Sequence, residues 1–146
     1  MRPLARVLID ESHRQAWTTR PEVAAAMNPV NPADASYARA AASAVCSGLD
    51  VSVHVSGQLS DEILAGFDAL VLPHSADDAW EHTTGQGSPL LMRDELDAIE
   101  QFVLSGGGLV ILGETEQRIA EAGIHQDASV EYRPVIAHSA GITTLS

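Results

Sequence analysis

Hydrophobic and polar positions follow two different periods along this chain, and the switch between them is clearest from Met92 to Gln117. Leu96, Ile99, Phe102 and Val103 recur at helical spacing while Asp94, Glu95, Asp97 and Glu100 fall on other faces, which predicts an amphipathic helix lying on an apolar surface. Gly106, Gly107 and Gly108 end it, since a glycine just past a helix takes positive φ at no steric cost. The run Leu109-Val110-Ile111-Leu112 lacks alternation and suits a strand covered on both faces, so a parallel sheet with helices on each side is expected. Gly113-Glu114-Thr115-Glu116-Gln117 then leaves the strand at the carboxyl edge of the sheet, where open α/β folds place their ligands.

The same reading extends in both directions. Ala5 to Asp10 predicts a first strand that delivers Asp10, Glu11, Ser12 and His13 to the same edge. Pro21 to Met27 suits one short helix inside a long, proline-punctuated connection. A further helix beginning at Pro32 or Asp34 has Tyr37, Ala40, Ala41, Ala44 and Val45 as its expected buried stripe and Gly48 as its stop. Asp50 to Val55 alternates and reads as a strand with one less-covered face, nearer an edge. Ser60 is the expected cap of a short helix over Asp61 to Leu64, and Phe67 to Leu72 is a third strand stopped by Pro73. A second long loop, His74 to Pro89, returns to the carboxyl edge. Past Gln117, Arg118 to Ala122 suits a short helix and Val130 to Ile136 a last strand, which Pro134 makes bent or peripheral. Residues 124–146 read as a tail or an edge strand of the same unit. Strands alternating with helices and right-handed crossovers predict a three-layer α/β/α sandwich around a mostly parallel sheet of about five strands, in the order 2-1-3-4-5.

Length and composition narrow this picture. The 146 residues, 45% of them hydrophobic, suit a single domain with a sizeable core. Eight basic residues, all Arg, stand against twenty acidic ones, for a formal net charge of -12. Such a surface repels phosphate backbones and anionic lipid heads, so no nucleic-acid or membrane partner is expected. Without Lys there is no Schiff-base or P-loop lysine chemistry. No apolar run approaches the ~18 residues that span a bilayer, and the single Cys46 excludes an intramolecular disulfide, so a cytoplasmic location is expected. Inside its helix, Cys46 reads as a small packing residue.

Candidate chemistry gathers at the carboxyl edge. Asp10, Glu11 and His13 follow the first strand, His74, Asp77, Asp78, Glu81 and His82 follow the third, and Glu114 and Glu116 the fourth. Carboxylates and imidazoles so gathered suit acid/base work or a metal that activates water. No fixed-spacing metal or dinucleotide motif is present, so no metal ligand and no cofactor is assigned. The Gly85-Gln86-Gly87-Ser88 loop needs no bound anion to explain it. Candidate catalytic groups are Glu114, His74 and Asp10; candidate ligand contacts are Glu11, His13, Trp17, Ser75, Trp80, His82 and Thr115. The tryptophans line a pocket or anchor their loops onto the core.

With these residues in place, the chain resembles the class I glutamine-amidotransferase-like superfamily, a flavodoxin-like fold, and within it an uncharacterised domain family with ThuA-like relatives. The resemblance is carried by Val7-Leu8-Ile9-Asp10-Glu11-Ser12-His13, by Ala69-Leu70-Val71-Leu72-Pro73-His74, and by Glu95 to Val103 with Gly106 to Glu114. Amidotransferases of that class carry a catalytic Cys at the turn matched here by Glu114 and Thr115. The resemblance therefore implies the fold without amidotransferase activity, and a tail shorter than the family's, as in a shortened member or a part of something larger. What it implies overall is a domain that binds a small polar molecule or a protein partner at the carboxyl edge, with a homo-oligomer possible. The rivals are a hydrolase or lyase using the Asp/Glu/His cluster, with or without a metal, and a structural or oligomerisation module.

Overall fold

Val7, Ile9 and the residues between them form the first strand, β1 (Arg6–Asp10), and its neighbours assemble on either side. The computed structural model describes residues 4–73, 84, 91–112 and, for the backbone, 143–145. Among these, β2 (Asp50–His54), β3 (Ala69–Leu72) and β4 (Gly108–Leu112) join β1 in a parallel sheet ordered β2-β1-β3-β4. A three-residue strand, β5 (Thr143–Leu145), pairs in parallel with β4. The expected strand at Val130–Ile136, the helix at Arg118–Ala122 and the glycine loop at 85–88 lie outside the described residues.

The register aligns Leu8 with Leu70 and Leu70 with Leu109, and one pleat further on aligns Leu72 with Ile111. Side chains alternate across a strand, so these five share one face. That face meets α3 (Asp61–Leu64) and α4 (Arg93–Leu104), whose Leu64, Leu96, Ile99 and Val103 complete a core together with Leu59 and Leu91. Each of these large side chains, fully buried, stabilises the fold by roughly 1.5–3 kcal/mol. The opposite face, with Val7, Ile9, Val71 and Val110, is only half-buried. The expectation that β4 is covered on both faces is therefore corrected: its pattern is alternating, with Leu109 and Ile111 buried and Val110 and Leu112 partly open.

The end of α4 follows from three consecutive glycines. Gly106 takes φ 102°, and the N–H groups of Gly106 and Gly107 close the helix on the carbonyls of Val103 and Phe102, both at 2.9 Å. Gly107 is required for a second reason: a Cβ there would lie 2.4 Å from the Phe102 ring.

Away from this core the packing is thinner. Ser60 caps α3 as expected, its Oγ accepting the Ile63 N–H at 3.3 Å. The helix expected from Pro32 or Asp34 is instead divided: a 3-10 turn at Pro32–Ala35, extended backbone at Ser36, then α2 (Ala38–Cys46). This later start shifts the inward positions to Ala38, Ala41 and Ala44, half-buried, and leaves Ala40 and Val45 exposed. No residue of α2 is buried, because the helix packs on the edge strand β2. Cys46 is likewise exposed and packs no core. α1 (Pro21–Met27) forms as expected and builds a small separate cluster from Ala24, Met27 and Ala35. No helix among the described residues is long and apolar enough to cross a membrane.

Candidate functional site

Strand parity puts Asp10 on the same face as Leu8, at the carboxyl end of β1. α4 covers that face and, running back against the strands, brings its first turn to the same edge. Asp10 therefore meets Glu95, through His13. His13 Nδ1 lies 2.5 Å from Asp10 Oδ2 and His13 Nε2 lies 2.8 Å from Glu95 Oε2. Both ring nitrogens face carboxylates, so both must carry protons for both bonds to form.

The chain around the two acids supplies further donors, filling Asp10 completely and adding two bonds to Glu95. Asp10 Oδ1 accepts from the Ser12 hydroxyl at 2.6 Å and the Ser12 N–H at 3.0 Å, and Oδ2 also accepts from Gln15 Nε2 at 3.1 Å. Gln15 Oε1 in turn accepts the His13 N–H at 3.0 Å. Arg14 between them takes φ 51°, a conformation that costs a non-glycine residue about 1 kcal/mol or more, and this kink brings the residues on both its sides to one carboxylate. Glu95 accepts the Met92 N–H and the Leu59 N–H, each at 3.0 Å, tying the start of α4 to the segment before α3.

The electrostatics follow from this geometry. Burial pushes the Asp10 carboxyl upward, but the bond and charge of His13 and the two bonds from Ser12 outweigh it and hold it below its ordinary value. Burial also opposes a charged His13; its hydrogen bonds to Asp10 and Glu95, and then their charges, prevail and raise its pKa to about 9. At neutral pH the centre is an imidazolium between two carboxylates.

Glu11 organises the next stretch. Its N–H donates to the His54 carbonyl at 2.7 Å, at the end of β2. Its carboxylate accepts from the Thr18 and Thr19 hydroxyls, from the Thr19 N–H at 3.0 Å and from Arg20 Nε at 3.3 Å. Thr18 pairs on to the 3-10 turn, its N–H on the Ala35 carbonyl and its carbonyl accepting the Tyr37 N–H. Trp17 anchors to the same turn: Nε1 donates to the Asp34 carbonyl at 2.7 Å and the ring lies 5.7 Å from that of Tyr37. Asp10, Glu11, Ser12, His13, Gln15 and Thr18 are all at most 4% exposed, which is unusual for a connecting segment and makes it a rigid wall of the sheet edge.

Of the residues singled out in the sequence, Asp10, Glu11, His13 and Trp17 are thus brought together on this wall, whereas His74, Ser75, Trp80, His82, Glu114 and Thr115 lie outside the described residues. Spacing along the chain places Glu95 on a polar face, whereas in the structure it is 1% exposed at the centre of the cluster. A signal for it exists, since Glu95 stands four and seven positions before Ile99 and Phe102, on the apolar stripe. Gln15 and Thr18 carried no such signal. Among the described residues no three His, Cys, Asp or Glu side chains are arranged to hold a metal ion. A cavity of about 270 Å³ beside Leu64 and Phe102, and one of about 420 Å³ beside Arg6 and Phe67, include no residue of the cluster. Comparison with protein families, curated proteins and solved structures finds no match to this chain.

Proposed function

We propose that this chain is an amidotransferase-like domain without amidotransferase activity, which binds a small polar ligand at the carboxyl edge of its sheet. The observation that carries the reading is the wall formed by residues 10–20: a segment at the ligand-binding edge held rigid by buried polar groups is pre-organised, and pre-organisation lowers the cost of ordering a site on binding. The same observation weighs against Asp10 and His13 as acid and base, because each bonding position they have is engaged by a neighbour. The hydrolase or lyase alternative then rests on His74 and Glu114. In this reading the sheet is the five-stranded core of a three-layer sandwich, right-handed crossovers placing α2 over the face that carries Val7 and Val71, and the protein works in the cytoplasm.

The test is a thermal-shift screen of the purified chain against small polar metabolites and divalent metal salts, with a His74→Ala, Glu114→Ala double variant beside it. Ligands that bind only the native state raise the melting temperature by mass action. The expected result is a shift in the wild type that the double variant loses. A screen with no shift for any compound overturns the proposal and moves the weight to an interaction module.

A further inference from the structure

β2 ends the sheet on one side: among the described residues its only strand neighbour is β1. The bonds between the two strands fix which backbone groups face outward. The Asp50 N–H donates to the Ala5 carbonyl at 2.9 Å, and the His54 carbonyl accepts the Glu11 N–H at 2.7 Å. Successive residues of a strand direct their N–H and C=O groups to opposite sides. Asp50, Ser52 and His54 therefore bond to β1, while Val51 and Val53 point theirs away from the sheet. Such a row of outward groups is a template for a further strand, and no glycine or proline interrupts it. α2, packed on β2, alone among the described helices buries none of its residues, and its Val45 is 55% exposed.

We propose that this edge pairs with a second copy of the chain, the two β2 strands running antiparallel across a twofold axis at Ser52. The strand's own residues select this occupant. Asp50-Val51-Ser52-Val53-His54 carries an acid at one end and an imidazole at the other, around a symmetric centre. Reversing it about Ser52 sets Asp50 against His54 of the second copy at both ends of the seam. Val51 then meets Val53 of the second copy, and because both direct their backbone groups outward, they exchange both N–H···O bonds. Parity and charge thus agree on one register. Asp50 and His54 fall in the non-hydrogen-bonded pairs, whose side chains stand closest, and opposite charges there are favourable. The Asp50 side chain is 53% exposed and lies 3.6 Å from Arg6 Nε, so it is accessible to a second chain. His54 Nε2 donates to the Gly57 carbonyl at 2.9 Å, which leaves Nδ1, when protonated, to donate across the seam. A twofold axis perpendicular to the sheet keeps like faces together, so α2 and its copy flank the seam on one side. The net charge of -12 opposes the approach of two copies at long range, a repulsion that salt screens.

Sedimentation velocity at about 0.15 M salt, where that repulsion is short-ranged, tests the seam over a series of protein concentrations. The wild type is expected to pass from monomer to dimer as concentration rises. Asp50→Lys sets a cation against His54 at each end, and His54→Glu sets an anion against Asp50, so each variant alone should weaken dimerisation about tenfold or more. Mixed in equal amounts the two should dimerise again, because the mixed pair has opposite charges at both ends. A change confined to either fold does not produce rescue on mixing. Amide exchange of the wild type decides the matter when a variant fails to fold: the Val51 and Val53 N–H groups should exchange more slowly in the dimer than in the monomer. A wild type that stays monomeric at every concentration overturns the proposal. So does a dimer that both variants form as readily as the wild type, or one in which Val51 and Val53 exchange at the monomer's rate. A mixture of folded variants that remains monomeric refutes the register about Ser52.

Discussion

Raising the pH from 6 to 9.5 should remove a sizeable part of the stability of this fold, through one side chain. His13 titrates near its ordinary 6.5 in the unfolded chain and at about 9 in the folded one. Its contribution is complete below 6.5, where both states hold the proton. Between 6.5 and about 9 the unfolded state loses the proton first, so stability falls, and above about 9 the contribution is gone. At about 1.4 kcal/mol per unit of pKa difference the loss is about 3 kcal/mol. Against the roughly 5–15 kcal/mol that stabilises an ordinary domain, this is readily measured. The His13 side chain is only 6% exposed, so solvent screens little of the effect. Asp10 works in the opposite sense and another range: its lowered pKa contributes above 3.8 and is lost as the pH falls below that value, outside the window in which His13 acts. The assay is urea denaturation followed by far-ultraviolet circular dichroism at half-unit steps of pH. Glu95→Gln is the diagnostic variant. It removes one of the two carboxylates on the ring, so the fall should end closer to 6.5 and have a smaller amplitude. A wild type and a Glu95→Gln variant with the same slope between pH 6.5 and 9 would refute the coupling.

Two further outcomes test the packing. Gly107→Ala should cost about 1–3 kcal/mol by forcing the Phe102 ring out of its place, and Phe102→Leu in the same chain should restore part of it; additive losses in a double-mutant cycle would contradict the contact. Cys46 should react with a thiol reagent at the rate of a free thiol in the native protein, and Cys46→Ser should change stability by less than about 0.5 kcal/mol; labelling that waits for unfolding would show the side chain to be packed.

Much of the local structure was legible along the chain because its causes are local. The stripe Leu96, Ile99, Phe102 and Val103 reports a helix on an apolar surface from spacing alone, and the glycines at 106–108 report its end from backbone sterics. The short apolar runs at β1, β3 and β4 imply a parallel sheet in the same way, and the cap at Ser60 needs only residues three apart. What spacing does not encode is how fully each face is covered. α2 has an apolar stripe of ordinary strength, yet no residue of it is buried, because it lies over the edge strand. The cluster at the carboxyl edge shows the same division. The sequence by itself determined that Asp10, Glu11 and His13 stand at the end of β1. Only the tertiary structure decided that His13 is an imidazolium clamped by a glutamate eighty-two positions away, since the free energy of a buried charge depends on partners that distant segments bring to it.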